Sequence, residues 1–237
     1  MFDVPKINHE ARNLPMNTTR VSKPELTYFN IEGRGLPIRL AFAIGNIEFK
    51  DVRLSREAFA DLKKNGKLPL GQLPTLTVCG NVYAQSFAIL KYAGVEAGLY
   101  PSNVLEAMEV DSAIMTLEDV MFPLSMSIFP ERYGLENWKD EKQKMEVRGR
   151  LNDIISGKLG KLDAILSKNK SKYAVGSKMT IADIMIYTSL RNFKSGRLDG
   201  ISSDVSSKCN TLEAIYKTVH EHPKVVDWMK VEAEHKK

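Results

Sequence analysis

In the stretch LTYFNIEGRGLPIRLAF, residues 26–42, a hydroxyl (Tyr28) and a guanidinium (Arg34) stand at the two ends of one short strand-to-helix turn. A phenol can donate a directed hydrogen bond, and a guanidinium carries a permanent positive charge. Taken alone, Arg34 reads as a surface ion pair with Glu32 or Asp51. Gly33-Arg34-Gly35 invites a phosphate-loop reading, but the third glycine of G-x-G-x-x-G would fall at Ile38, and GxxxxGK[ST] does not occur. Nucleotide binding is therefore not expected.

Two further segments could hold a small ligand, one by pairing with an extended peptide and one by binding an anion. In GQLPTL, the Leu73-Pro74 bond precedes a strand, where a residue without an N–H fits an edge or turn and a cis bond is tolerated. Such a kink exposes the backbone of Leu73 to pair with an extended peptide, although for the motif taken alone an ordinary strand-entry proline is the better account. In AQSFAILKYAG, Gln85 closes a strand and Ser86 takes the expected N-cap position, where free N–H groups and the positive dipole end favour an anion. A plain N-cap also explains that serine.

MTIADIMIY holds Thr180-x-x-Asp183, a capping-box start to a mostly apolar helix, and reads as structural. His9, His220, His222 and His235 form neither HExxH nor a set with cysteines, so no metal site is expected. No G-x-S-x-G elbow is present.

The elements that must position these groups follow from periodicity. LTYFNI is a strand, LPIRLAFAIG a helix with Pro37 in its first turn, and FKDVRL a second strand. REAFADLKKNG reads as a short helix, LPTLTVCGNVYA as two strands turning at Gly80-Asn81, and SFAILKYAGVEAG as a helix. The order βαβ then ββα builds a four-stranded mixed sheet with helices on its faces. After Pro101 the strand signal ends. Apolar residues then recur three and four apart, including Leu105, Met108, Ala113, Leu117 and Met121, so residues 104–237 are expected to be all-helical. Residues 1–25, with Pro5, Pro15 and Pro24, read as a flexible arm, and residues 26–101 as the first domain.

The 237-residue chain has an ordinary globular composition, 43% hydrophobic and 27% charged. Its two cysteines, Cys79 and Cys209, form no CxxC, which favours a reducing, cytoplasmic setting. No apolar run reaches a membrane span or a secretory leader. The net charge of +5 arises from lysines interleaved with acids, the pattern of solvated helix faces, so neither a nucleic-acid nor a membrane partner is expected.

Tyr28, GQLP, QSFAILKY, the helical second half and TIAD, in this order and spacing, resemble the cytosolic glutathione S-transferases. The sigma class is the nearest, with its glutathione-dependent prostaglandin D synthases and S-crystallins. The resemblance runs from about Leu26 to EHPKVVDWMK and implies a thioredoxin-like N-terminal domain, an all-α C-terminal domain, glutathione as co-substrate and a homodimer. It makes Tyr28 the catalytic hydroxyl on the glutathione sulfur and Arg34 its cationic assistant. Leu73, before a cis Pro74 and after Gln72, would pair with the cysteinyl backbone, and Gln85 and Ser86 would hold the γ-glutamyl end. Asp119 would reach the γ-glutamyl amine from the partner subunit. Phe59 and Lys63 stand where the class commonly has Trp and Lys against the glycyl end, and Phe59 lacks the indole donor. Met115 replaces an acid of the metal-responsive cluster of the vertebrate prostaglandin synthases, so the resemblance implies no magnesium activation.

The implied activity is a detoxification-type transferase that joins the glutathione thiolate to hydrophobic electrophiles, with Phe29, Ile31, Met121 and Met126 against the second substrate. Flexible methionine suits varied ligands. The alternatives are a glutathione-dependent isomerase or peroxidase, such as a prostaglandin synthase, and a non-catalytic S-crystallin-like protein.

Overall fold

The computed structural model describes residues 23–135 and 140–235. The expected N-terminal arm lies, up to residue 22, outside them. Strand β1 (Glu25–Phe29) pairs in parallel with β2 (Lys50–Leu54) and antiparallel with β3 (Thr75–Val78), which pairs antiparallel with β4 (Asn81–Ala84), giving a four-stranded sheet in the order β2-β1-β3-β4. Helix α1 (Leu36–Ile44) links the parallel pair, α2 (Arg56–Lys64) follows β2, and α3 (Ser86–Glu96) follows β4. This is the four-stranded mixed sheet expected from the order βαβ then ββα, and it takes the thioredoxin-like form that the resemblance implies.

The local causes are legible. Pro37 sits in the first turn of α1, where its missing N–H is not needed, and the run LPIRLAFAI buries Leu36 through Phe42. Helix α2 starts at Ser55, whose hydroxyl accepts from the Ala58 N–H, and buries none of its residues fully. The β3–β4 hairpin turns at Cys79-Gly80 (φ +48° and +77°) rather than at Gly80-Asn81. A tight primed turn needs two positive φ values, and the pair that takes them leaves Asn81 as the first residue of β4.

Two compact units divide the chain: the described residues up to Leu99 together with those from Pro223 onward, and Tyr100–His222. The sequence ranges 26–101 and 104–237 differ from these units in where the sheet unit first ends, at Leu99, and in the place of the last helix. Helix α8 (Pro223–Glu234) belongs with the sheet unit, where it packs on α1 and places Trp228 against Phe49, itself against Phe42, with ring centroids 5.6 and 4.8 Å apart.

The second unit is helical: α4 (Val104–Ile128), α5 (Glu141–Leu166), α6 (Ile181–Lys194) and α7 (Asn210–His220). The capping box is present at α6. Asp183, wholly buried, accepts from the Thr180 N–H (2.7 Å), the Thr180 hydroxyl (2.9 Å) and the Ala174 N–H (2.7 Å). Burial pushes its carboxyl from an ordinary 3.8 up to about 6, against the lowering effect of those donors.

Helix α4 carries two apolar faces. Val110, Ala113, Ile114, Leu117, Val120 and Leu124 are buried, whereas Leu105 and Met108 are 66% and 62% exposed. At about 100° per residue, Leu105, Met108, Met115 and Phe122 fall on one line on the side opposite the buried stripe. The apolar spacing read from the sequence merges these faces. No helix among the described residues is long and apolar enough to cross a membrane.

Candidate active site

The sheet register gathers the site at one end of the first unit. Thr27 lies opposite Thr75, and Thr75 opposite Ala84, so Tyr28, the Leu73-Pro74 peptide and Gln85-Ser86 come together just beyond the paired residues. The Leu73-Pro74 peptide is cis, with Pro74 buried, Leu73 half-buried and Gln72 exposed.

Tyr28 is 6% exposed at the end of β1. The chain then folds back over its ring through the 3-10 turn Gly33–Gly35. A Cβ at Gly33 would lie 2.6 Å from the Tyr28 hydroxyl oxygen, and one at Gly35 would lie 2.6 Å from Tyr28 Cδ1. Gly33 also adopts φ +35°. The two glycines are thus required by the phenol they enclose, not by a phosphate.

The backbone N–H of Arg34 donates to the Tyr28 hydroxyl at 3.1 Å. With its oxygen accepting from the turn, that hydroxyl keeps its own proton to donate outward. The Arg34 guanidinium donates through Nη1 to Ser86 Oγ at 3.0 Å. Arg34 therefore serves both ends of the site, through its main chain at one and its side chain at the other. Asp51, one of the two carboxylates weighed as its partner, instead pairs with Arg39 and Arg53.

Ser86 is not the N-cap of α3. That position falls to Gln85, at φ +78° and ψ +107°, and Ser86 is the first helical residue. The chain leaves β4 and enters the helix without a connecting residue to spare, so Gln85 must take a backbone conformation that costs a non-glycine residue about 1–3 kcal/mol. Ser86 Oγ, which caps nothing, is held by Arg34 beside the open N–H groups of an 11-residue helix.

The remaining expected residues are placed as follows. Phe59 packs edge-on against Phe29, with ring centroids 5.2 Å apart, and Phe29 packs edge-on against Tyr28 at 5.6 Å. The Lys63 stem lies over Gly71, where an added Cβ would be 3.5 Å from Lys63 Cε, one residue before Gln72. Ile31 is 52% exposed. Asp119, Met121 and Met126 lie on α4 in the helical unit; Asp119 accepts from Lys158 Nζ at 2.6 Å, and the methionines are half-buried. Among the described residues no group of three or more His, Cys, Asp or Glu is arranged to hold a metal.

The sequence reading missed Arg39 and Glu232. Arg39 is wholly buried, and its Nη groups donate to the carbonyls of Phe29 and Ile31. It is the lone charge in the apolar run LPIRLAFAI, which is the signal that could have marked it. Glu232, 1% exposed on α8, bonds to Arg53 with both carboxylate oxygens.

Family models named "Glutathione S-transferase, N-terminal domain" and "Glutathione S-transferase, C-terminal domain" match residues 24–94 and 124–232. Glutathione S-transferase 1 of Ascaris suum is 36% identical over 205 residues, covering 86% of this chain and 94% of the relative. Hematopoietic prostaglandin D synthase of Gallus gallus is 29% identical, with coverages of 86% and 94%. The crystal structure of the glutathione S-transferase from Ascaris lumbricoides superposes with a TM-score of 0.75 at 34% identity, covering 89% of this chain and 98% of that one.

Proposed function

The chain belongs to the glutathione S-transferase family, and we propose that it joins the thiolate of glutathione to hydrophobic electrophiles. The observation that carries this reading is the Tyr28 hydroxyl, held by the Arg34 N–H with its proton left to donate. A free thiol has a pKa of about 8.5 and is only a few per cent ionised near neutrality. Bringing it down by about two units takes about 2.7 kcal/mol of preferential stabilisation of the anion. One hydrogen bond to a charged group supplies about 1.5–3 kcal/mol, so Tyr28 can provide most of it. The nearby Arg34 charge favours the same anion.

In this reading the thiolate attacks the electrophilic carbon, the C–S bond forms, and the leaving group departs with its electron pair. Leu73 would pair with the cysteinyl backbone. Gln85, Ser86 and the N-terminal N–H groups of α3 would take the γ-glutamyl carboxylate, with Lys63 and Gln72 toward the glycyl end. Phe29 and Ile31 supply apolar surface beside Tyr28, and the family resemblance assigns Met121 and Met126 the same role. The Tyr28→Phe variant should lower kcat for conjugation of an aromatic halide by about ten- to a hundredfold and leave glutathione affinity within about threefold. Unchanged turnover would remove Tyr28 from the chemistry.

The similarity to a prostaglandin D synthase favours a second reading, a glutathione-dependent isomerase or peroxidase of the sigma type. The same thiolate would serve it. Product analysis with an endoperoxide, a hydroperoxide and an aromatic halide side by side separates these reactions.

A cytoplasmic homodimer is part of the proposal. The exposed line Leu105, Met108, Met115 and Phe122 on α4 supports it, since an apolar line of this length is suited to being covered. Asp119 falls on the same side of α4 by helical spacing. We propose that it leaves Lys158 to reach the γ-glutamyl amine bound by the partner subunit.

A further inference from the structure

Three consecutive residues after Tyr28 are held from behind by groups that take no part in the proposed glutathione site. Arg39 donates through Nη2 to the Phe29 carbonyl (3.2 Å) and through Nη1 to the Ile31 carbonyl (2.8 Å). Between them, Asn30 Nδ2 donates to the His235 carbonyl (2.7 Å), and Asn30 Oδ1 accepts from Arg53 Nη1 (3.1 Å). The Arg39 guanidinium carbon lies 5.8 Å from the centroid of the Tyr28 ring.

Behind this clamp is a neutral quartet of charges, with Arg39 and Glu232 buried and Asp51 and Arg53 half-buried. Asp51 accepts from Arg39 Nε (3.0 Å) through one oxygen and from Arg53 Nε (2.8 Å) through the other. Glu232 accepts from Arg53 Nη1 (3.0 Å) and Nη2 (2.7 Å), lies 3.7 Å from Arg39 Nη1, and takes the Trp228 indole N–H at 3.1 Å. Burial alone would lower the Arg53 guanidinium, but Glu232 and Asp51 together hold it above its ordinary value. Two guanidinium groups removed from water need two carboxylates; with one taken away, the buried charges no longer balance and the geometry relaxes.

We propose that Glu232 is a positioning residue for Tyr28, acting from α8 through Arg53 and Arg39 on the carbonyls of residues 29 and 31. The proposal rests on the reading that Tyr28 serves a glutathione thiolate. Its physical basis is that a hydrogen bond stabilising an anion depends steeply on where the donor is held, so a clamp on the turn sets how well the phenol meets the sulfur. A quartet that merely stabilised the fold would affect melting and leave the bound thiol untouched.

The test follows the ultraviolet absorbance of the thiolate of bound glutathione against pH, at saturating glutathione, in the full chain and in Glu232→Gln. Calorimetry gives glutathione affinity, and a circular-dichroism melt establishes folding at the assay temperature. The expected result is a thiolate midpoint raised by about one pH unit and kcat near neutrality down about tenfold, with affinity and KM for glutathione within about threefold. If Glu232→Gln is unfolded, Trp228→Phe decides in its place. It keeps all four charges and removes the indole N–H to Glu232 together with part of the ring that packs on Phe49, and it should raise the midpoint in the same direction with kcat down about threefold. A deciding variant that is folded and whose midpoint matches the parent overturns the inference while leaving the thiolate reading intact. A parent chain with no thiolate absorbance overturns both.

Discussion

The backbone N–H of Arg34 donates to the hydroxyl of Tyr28 at 3.1 Å, while the guanidinium of the same residue reaches Ser86 at 3.0 Å. One residue thus ties the sulfur end of the proposed glutathione site to its γ-glutamyl end. The main-chain half of that link survives any substitution except proline; the side-chain half does not.

The glycine after Arg34 is required by packing. In Gly35→Ala, the new methyl would meet the Tyr28 ring at 2.6 Å and Arg39 Nη1 at 3.1 Å, neither of which is the loose end of a flexible surface chain. Overpacking of this kind costs about 1–3 kcal/mol. Conjugation should fall more than tenfold in a protein whose melting point drops by only a few degrees. Activity lost only in proportion to folded protein would mean that the ring has room to move.

Ser86→Ala tests the other end of the link. With the hydroxyl gone, Arg34 Nη1 loses its acceptor and the proposed γ-glutamyl site loses a polar partner. Glutathione should bind about tenfold more weakly by calorimetry. Because Ser86 caps nothing, the stability of α3 should change by less than about 0.5 kcal/mol.

The cap of α6 gives stability a pH signature. Asp183 titrates at about 6 in the folded chain, against 3.8 for an ordinary aspartate. The folded state therefore keeps a proton that the unfolded state has released. The stability this group confers is complete below about 3.8, declines as pH rises to about 6 and is absent above that. Subtracting the stability of Asp183→Asn, measured by urea unfolding between pH 4 and 7, should isolate a decline no steeper than about 1.4 kcal/mol per pH unit. Asp183→Ala should cost about 2–4 kcal/mol, since it strips acceptors from the N–H groups of Ala174 and Thr180.

The exposed line of α4 should carry self-association. Met108→Glu combined with Phe122→Glu places charges on it without touching the buried face, and sedimentation should move from dimer to monomer at micromolar concentration. Sedimentation of the double variant as a dimer would place the interface elsewhere.

Much of this was legible in the sequence, because the fold and half of the site are written in short contiguous signals. Tyr28 with its glycine turn, the proline before β3 and the Thr180–Asp183 box each depend on neighbours within a few residues. The Ser86 reading failed for a conformational reason: nothing in AQSFAIL reveals that Gln85 adopts a positive φ and so displaces the cap by one residue. Arg39 left a signal, the lone charge in an apolar helix, but Glu232 was out of reach for a topological reason. The arginine partners of Glu232 lie at the opposite end of the described chain, and it meets them only once α8 has packed on α1. The helical spacing of α4 was visible, but spacing alone does not say which of two apolar faces turns inward.

The membership of α8 in the first unit also bears on how the molecule is made. Synthesis delivers the sheet and α1 first, the helical unit next and residue 232 only afterwards. While the ribosome is still working through the second unit, Arg39 and Arg53 have one carboxylate, Asp51, between them. The helical unit can therefore mature during translation, whereas the turn that holds Tyr28 acquires its full set of countercharges only when the last helix emerges.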